Sequence, residues 1–182
     1  MRIRQLLSLA GCLLLVHSAA AQAQDTGKVG VTMAYPAAIG LIWHATDKMA
    51  VRPEFTISGS SAESSSGFEA SSWSFGTGVS VLFYLKDYDH VRTYFTPRFD
   101  YSRSSSSSET GASTAPSIDT SRWSSGAAGS FGVQYTPGDK FGVFGEVGFG
   151  FSYSSLPSAA APNSGHATGW GMRSGVGVIF YP

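Results

Sequence analysis

The side chains able to do chemistry are few and scattered. The chain holds four histidines and one cysteine among 182 residues. Cys12 and His17 lie close to the N-terminus, leaving His44, His90 and His166 further on. His44-Ala45-Thr46 and His166-Ala167-Thr168 each set a hydroxyl two residues after an imidazole, on one side of a strand. A general base beside a hydroxyl is the start of a nucleophilic site. No carboxylate accompanies His166 on its segment to orient the ring, so a polar residue at an interface accounts for it better. Three dispersed histidines and no thiol show no metal-ligand spacing, and Asp87 with Asp89 reads as turn chemistry. The glycines do not form G-x-G-x-x-G, so no phosphate cradle is indicated. No catalytic residue, metal or cofactor is expected.

The charged residues form a more coherent set. Arg52, Glu54, Arg92, Arg98, Asp100, Glu146 and Arg173 fall on the small or polar side of alternating segments, with Tyr94 and His44 beside them. Four arginines nearly balance three acids. Alternation would bring them to one enclosed side, where charges must pair because an unpaired buried charge is costly. Two uses follow from such a lining, a narrow ion path or a hydrogen-bonded plug. The interior of an eight-stranded barrel is only wide enough for side chains to fill it, which favours the plug.

The N-terminus has the pattern of a targeting segment. Arg2 and Arg4 precede the short apolar run from Leu6 to Val16, and Ala19 to Ala23 offer cleavage sites after Ala21 or Ala23. Residues 1–23 are therefore expected to be a signal peptide and 24–182 the folded domain. Leu9-Ala10-Gly11-Cys12 also resembles a lipobox, which would lipidate Cys12 instead. Loss of the signal removes the cysteine and two arginines, so disulfides, thiol catalysis and a basic nucleic-acid face are not expected.

Composition points to the elements that hold these residues. Twenty-two glycines, 12 Phe, 8 Tyr and 4 Trp accompany only 13% charged residues. After residue 23 no run reaches the ~20 apolar residues of a membrane helix. Period-2 alternation dominates instead. Phe141, Val143, Val147, Phe149, Phe151 and Tyr153 share one face, opposite Gly142, Phe144, Glu146, Gly148 and Gly150. The segments from Trp73, from Trp123 and from Trp170 repeat the split. The pairs Trp73 with Phe83, Trp123 with Tyr135, Phe141 with Tyr153 and Trp170 with Phe180 bracket their apolar faces. Ten rises of ~3.3 Å at a tilt near 40° span ~25 Å, the height of an outer-membrane apolar band.

Strands are expected near 38–46, 49–59, 71–85, 91–103, 122–135, 141–155 and 167–181. Turns at 46–48, 86–89 and 136–140 are short; Ser-rich connections at 60–70, 104–121 and 156–166 are long. Short turns face the periplasm and long loops the exterior in such barrels, so both termini belong inside and an eighth strand is required. Residues 28–35 supply it, turning at Pro36-Ala37. The expectation is an all-β, eight-stranded, antiparallel, up-and-down transmembrane β-barrel, monomeric, in the outer membrane of a Gram-negative bacterium.

The last residues resemble the C-terminal β-signal of outer-membrane barrels, carried here by Arg173, Gly175, Val178 and Phe180. The chain then continues through Tyr181 to Pro182, where members of the class end on an aromatic residue. That resemblance implies the barrel-assembly machinery as a partner during biogenesis. The whole mature chain resembles small barrels of the OmpA/OmpX type, which implies contact with outer-membrane lipid and lipopolysaccharide. A structural or surface-interaction role follows, any ligand meeting the loops at 60–70, 104–121 and 156–166. Some small barrels modify lipid A, and the two His-x-Thr pairs resemble the His and Ser of lipid A deacylases with Thr for Ser. Lipid modification and a narrow channel are the alternatives. A soluble secreted barrel is opposed by the outward aromatic faces, which would form a large exposed apolar patch.

Overall fold

The computed structural model describes residues 26–36, 38–63, 69–109, 118–155 and 165–182. The expected signal peptide, Cys12, and residues 64–68, 110–117 and 156–164 of the long connections lie outside the described residues. The strands are β1 (Val29–Tyr35), β2 (Ala38–Thr46), β3 (Met49–Glu63), β4 (Glu69–Tyr88), β5 (Val91–Glu109), β6 (Ile118–Tyr135), β7 (Phe141–Ser155) and β8 (His166–Phe180). Each pairs antiparallel with its neighbours in sequence, and β1 pairs with β8 to close the ring. The eighth strand demanded by parity is β1, which completes the barrel through Val31↔Phe180 and Met33↔Val178.

The register fixes the geometry. Met33 pairs with Ile39, and the row continues through Phe55, Thr77, Tyr101, Ser125 and Tyr153 to Thr168. Thr168 lies ten residues along β8 from Val178, the partner of Met33. A stagger of ten residues over eight strands corresponds to a tilt of about 40°. Each residue then adds about 2.5 Å of height along the barrel axis.

The bracketing aromatics fall into two rings on this scale. Trp73, Trp123, Tyr153 and Trp170 share one level; Trp43, Phe83, Tyr135, Phe141 and Phe180 share another, about 25 Å away. Neighbours within the upper ring pack directly, with Trp123 and Tyr153 centroids 5.6 Å apart. Between the rings the outward positions are predominantly large and apolar, among them Val79, Phe99, Phe131, Val147, Phe149 and Met172, all exposed. The buried set faces inward: Ile42, Ala50, Leu82, Tyr84, Tyr94, Phe144, Ile179 and Tyr181.

Two expectations about connections need correction. In the segments 60–70 and 104–121 the described residues, 60–63, 69–70, 104–109 and 118–121, are strand, not loop. β3 to β6 stay in register as far as Glu63↔Glu69, Glu69↔Glu109 and Ser108↔Ile118, so a four-stranded sheet rises beyond the upper ring. Serine side chains bridge its strands, Ser58 to Ser74 at 2.7 Å, Ser60 to Ser72 at 2.8 Å and Ser71 to Ser107 at 2.7 Å. Both faces are polar there, so the hydrophobic period that reveals a strand is missing while the backbone ladder persists. The turn expected at 86–89 is also displaced. β4 runs on through a bulge near Leu85 to Tyr88↔Val91, leaving Asp89 and His90 as the turn. Asp89 adopts φ 52°, a left-handed conformation that Asp tolerates better than most residues.

Candidate functional site: the charged lumen

Six of the seven expected lumen charges form one connected network. Arg173 donates to Asp100 at 2.6 Å. Asp100 lies 3.7 Å from Arg98, which also pairs with Glu54. Glu54 lies 3.6 Å from Arg52, and Arg52 reaches Glu146 on β7 at 2.7 Å. Tyr94 donates its hydroxyl to the same Glu146 carboxylate at 2.8 Å. The chain of contacts ties β3, β5, β7 and β8 together through the interior.

Arg92 stands apart from this network, at the end of the barrel where β1 begins and β8 ends. It pairs with Asp87 at 3.1 Å, donates to the Asp47 carbonyl at 2.5 Å and stacks on Tyr84 at 4.0 Å. The bulge near Leu85 carries Asp87 inward opposite Arg92, a role its turn-like sequence context conceals.

Glycines on intervening strands let the long side chains cross. Tyr94 on β5 lies over Gly132 on β6 to reach Glu146 on β7; a Cβ at Gly132 would sit 2.3 Å from its ring. Arg98 likewise passes over Gly78, where a Cβ would be 2.9 Å from the guanidinium, to meet Glu54 on β3. The inward glycines are thus the clearance that a lumen filled by bulky side chains requires.

Below the charged layer lies a second, mixed layer. His44 Nε2 and the Tyr181 hydroxyl are 2.9 Å apart, and His44 stacks on Tyr84 at 5.7 Å. Tyr84 donates to Gln134 at 3.0 Å, and Lys28 lies 4.3 Å over the Tyr181 ring. Gln134 and Tyr181 were not foreseen as lumen residues. Tyr181 continues the alternation of β8 one residue past Phe180, so its burial at 3% exposure was readable from period alone. The chain extension that departs from the assembly signal therefore fills the interior, while Val178 and Phe180 face outward and Gly175 inward.

His166 opens β8, exposed, with its ring stacked 5.0 Å from Tyr153. That contact sets it against the far edge of the upper aromatic ring. His90 lies in the Asp89–His90 turn, 3.5 Å from Asp89.

No protein-family model matches this chain, and no curated protein does. It is similar, at low identity, to some solved structures. Ail, the attachment invasion locus protein of Yersinia pestis, determined with the heparin analogue sucrose octasulfate, is 14% identical. The match covers 84% of this chain and 95% of that one at a TM-score of 0.44. CarO of Acinetobacter baumannii is 10% identical over 89% of this chain and 100% of its own, at a TM-score of 0.40. Identities this low carry nothing about ligand or activity from those proteins to this one.

Proposed function

We propose that the protein spans the outer membrane of a Gram-negative envelope as a monomeric, plugged barrel that holds a serine-rich sheet outside the cell. The observation that carries this reading is the outward belt, apolar for about 25 Å and bounded at both levels by aromatic rings. In water such a belt would be an exposed apolar surface far larger than soluble monomers carry. The register supplies the backbone pairing that a lipid environment demands through most of the wall.

The role is structural or surface-interacting, not enzymatic. The charges pair with one another across the interior, an arrangement that ties the strands together and leaves little room for a solute path along the axis. Outside, rows of hydroxyls on β3 to β6 suit a hydrogen-bonding surface ligand such as the sugars of lipopolysaccharide. The C-terminal signal would be read by the assembly machinery before the barrel closes.

The test is fractionation with gel migration. The native protein should appear in outer-membrane fractions and run as a compact band that shifts on boiling. A protein found free of membrane, soluble without detergent and unshifted by heat, would remove the membrane reading.

A further inference from the structure

The wall of the barrel is not equally tall all round. β1 pairs with β8 only as far as Tyr35↔Val176, and β2 pairs with β3 only as far as Ile39↔Phe55. The β1–β2 hairpin therefore ends roughly 10 Å below the ring containing Trp170. Above it, β8 from His166 to Ser174 and β3 from Ile57 to Glu63 face a gap two strands wide among the described residues, roughly 14 Å across. The side chains at its margins show it. Ile57, Trp170 and Met172 are 79–81% exposed, whereas Phe149 and Phe151, at comparable heights on the intact wall, are 50–53% exposed.

Behind the gap lies a polar chamber of about 250 Å³, with Tyr35 and Pro36 at its lip and Arg52, Arg98, Asp100 and Arg173 in its wall. Its charges are already matched: Arg52, Arg98 and Arg173 face Glu54, Asp100 and Glu146. Donors are nevertheless left over. Arg52 is 1% exposed, yet its Nη1 has no protein acceptor, and the buried Nε of Arg98 has none within hydrogen-bond geometry. A buried donor without an acceptor is costly. An added anion would upset the charge balance, whereas an uncharged oxygen-bearing group would leave it intact.

We propose that this chamber is a binding site for the head of an amphiphile, reached sideways from the outer leaflet through the gap above the β1–β2 hairpin. The head is uncharged and bears carbonyl or hydroxyl oxygens, as in a monoacylglycerol. The chain stays in the lipid against Ile57, Trp170 and Met172. This inference rests on the outer-membrane reading above, because only a surrounding bilayer presents an amphiphile at that height.

Monooleoylglycerol and oleate are the probes, added to detergent-refolded protein and followed by native mass spectrometry. Wild-type protein should retain one monooleoylglycerol and prefer it to oleate. Gly171→Trp fills open space on the β8 side of the gap, and Thr56→Trp narrows the β3 side. Each should weaken retention at least tenfold while keeping the heat-modifiable band. Heat-modifiable wild-type protein that retains no monooleoylglycerol, retains it equally in both variants, or prefers oleate would overturn the site and leave the barrel reading intact. A protein that needs no detergent at all would remove both.

Discussion

Replacing the acid at the centre of the lumen network should expose how much the plug contributes to the barrel. Glu146 accepts from Arg52 at 2.7 Å and from Tyr94 at 2.8 Å, and the Arg52 side chain is 2% exposed. Glu146→Leu leaves that guanidinium with one acid, Glu54, 3.6 Å away, and the Phe144 ring. Breaking a buried pair by removing one partner costs about 3–5 kcal/mol; the second acid here places the loss near the bottom of that range, at about 3 kcal/mol. Arg52→Leu is milder, about 2 kcal/mol, because Arg98 still pairs with Glu54 and Tyr94 with Glu146. The double variant replaces the pair by apolar side chains, which is often close to neutral, so it should lose no more than about 1 kcal/mol more than either single change. Urea unfolding in lipid vesicles, followed by tryptophan fluorescence, measures all four corners of the cycle. The expected coupling is about 2 kcal/mol or more. Single losses below about 0.5 kcal/mol, or strictly additive losses, would mean that these charges sit in solvent and that the lumen is not plugged by their pairing.

Other consequences are as direct. Gly132→Leu drives a side chain into the Tyr94 ring and should destabilise by about 1–3 kcal/mol in the same unfolding assay, with much of the loss recovered when Tyr94→Ala is added. Tyr181→Ala empties the lower layer and should cost about 3 kcal/mol, whereas Tyr181→Phe removes only the hydroxyl contacts with His44 and Gln134 and should cost about 1 kcal/mol. The paired substitution Ser58→Cys and Ser74→Cys should give an intramolecular disulfide on mild oxidation, seen as a migration shift reversed by reductant; a mismatched pair such as Ser58→Cys with Ser71→Cys should not.

The barrel was legible because its wall divides two environments. Outward and lumen-facing positions differ in chemistry, so alternation in segments such as Phe141–Tyr153 declares both strand and orientation. The inward charges were legible for the same reason. Their partners were not, since Arg52 meets Glu146 across the lumen and only the register joins them. Asp87 was hidden by a bulge that turns a turn-like stretch into strand. The serine-rich extension was illegible because both of its faces are polar and nothing distinguishes one from the other. Tyr181 escaped notice because it was read as a departure from an assembly signal and not as one more inward position.

The claim on which everything else depends is that the large apolar face meets lipid. A nitroxide scan along β7, one cysteine at a time from Phe141 to Ser155 in reconstituted vesicles, tests it most directly. Labels at 143, 145, 147, 149 and 151 should collide freely with oxygen and hardly at all with a water-soluble nickel complex. Labels at 144, 146, 148 and 150 should be immobilised and collide with neither. Nickel collisions that peak at the odd positions would show those side chains in water, and the outer-membrane account would fall.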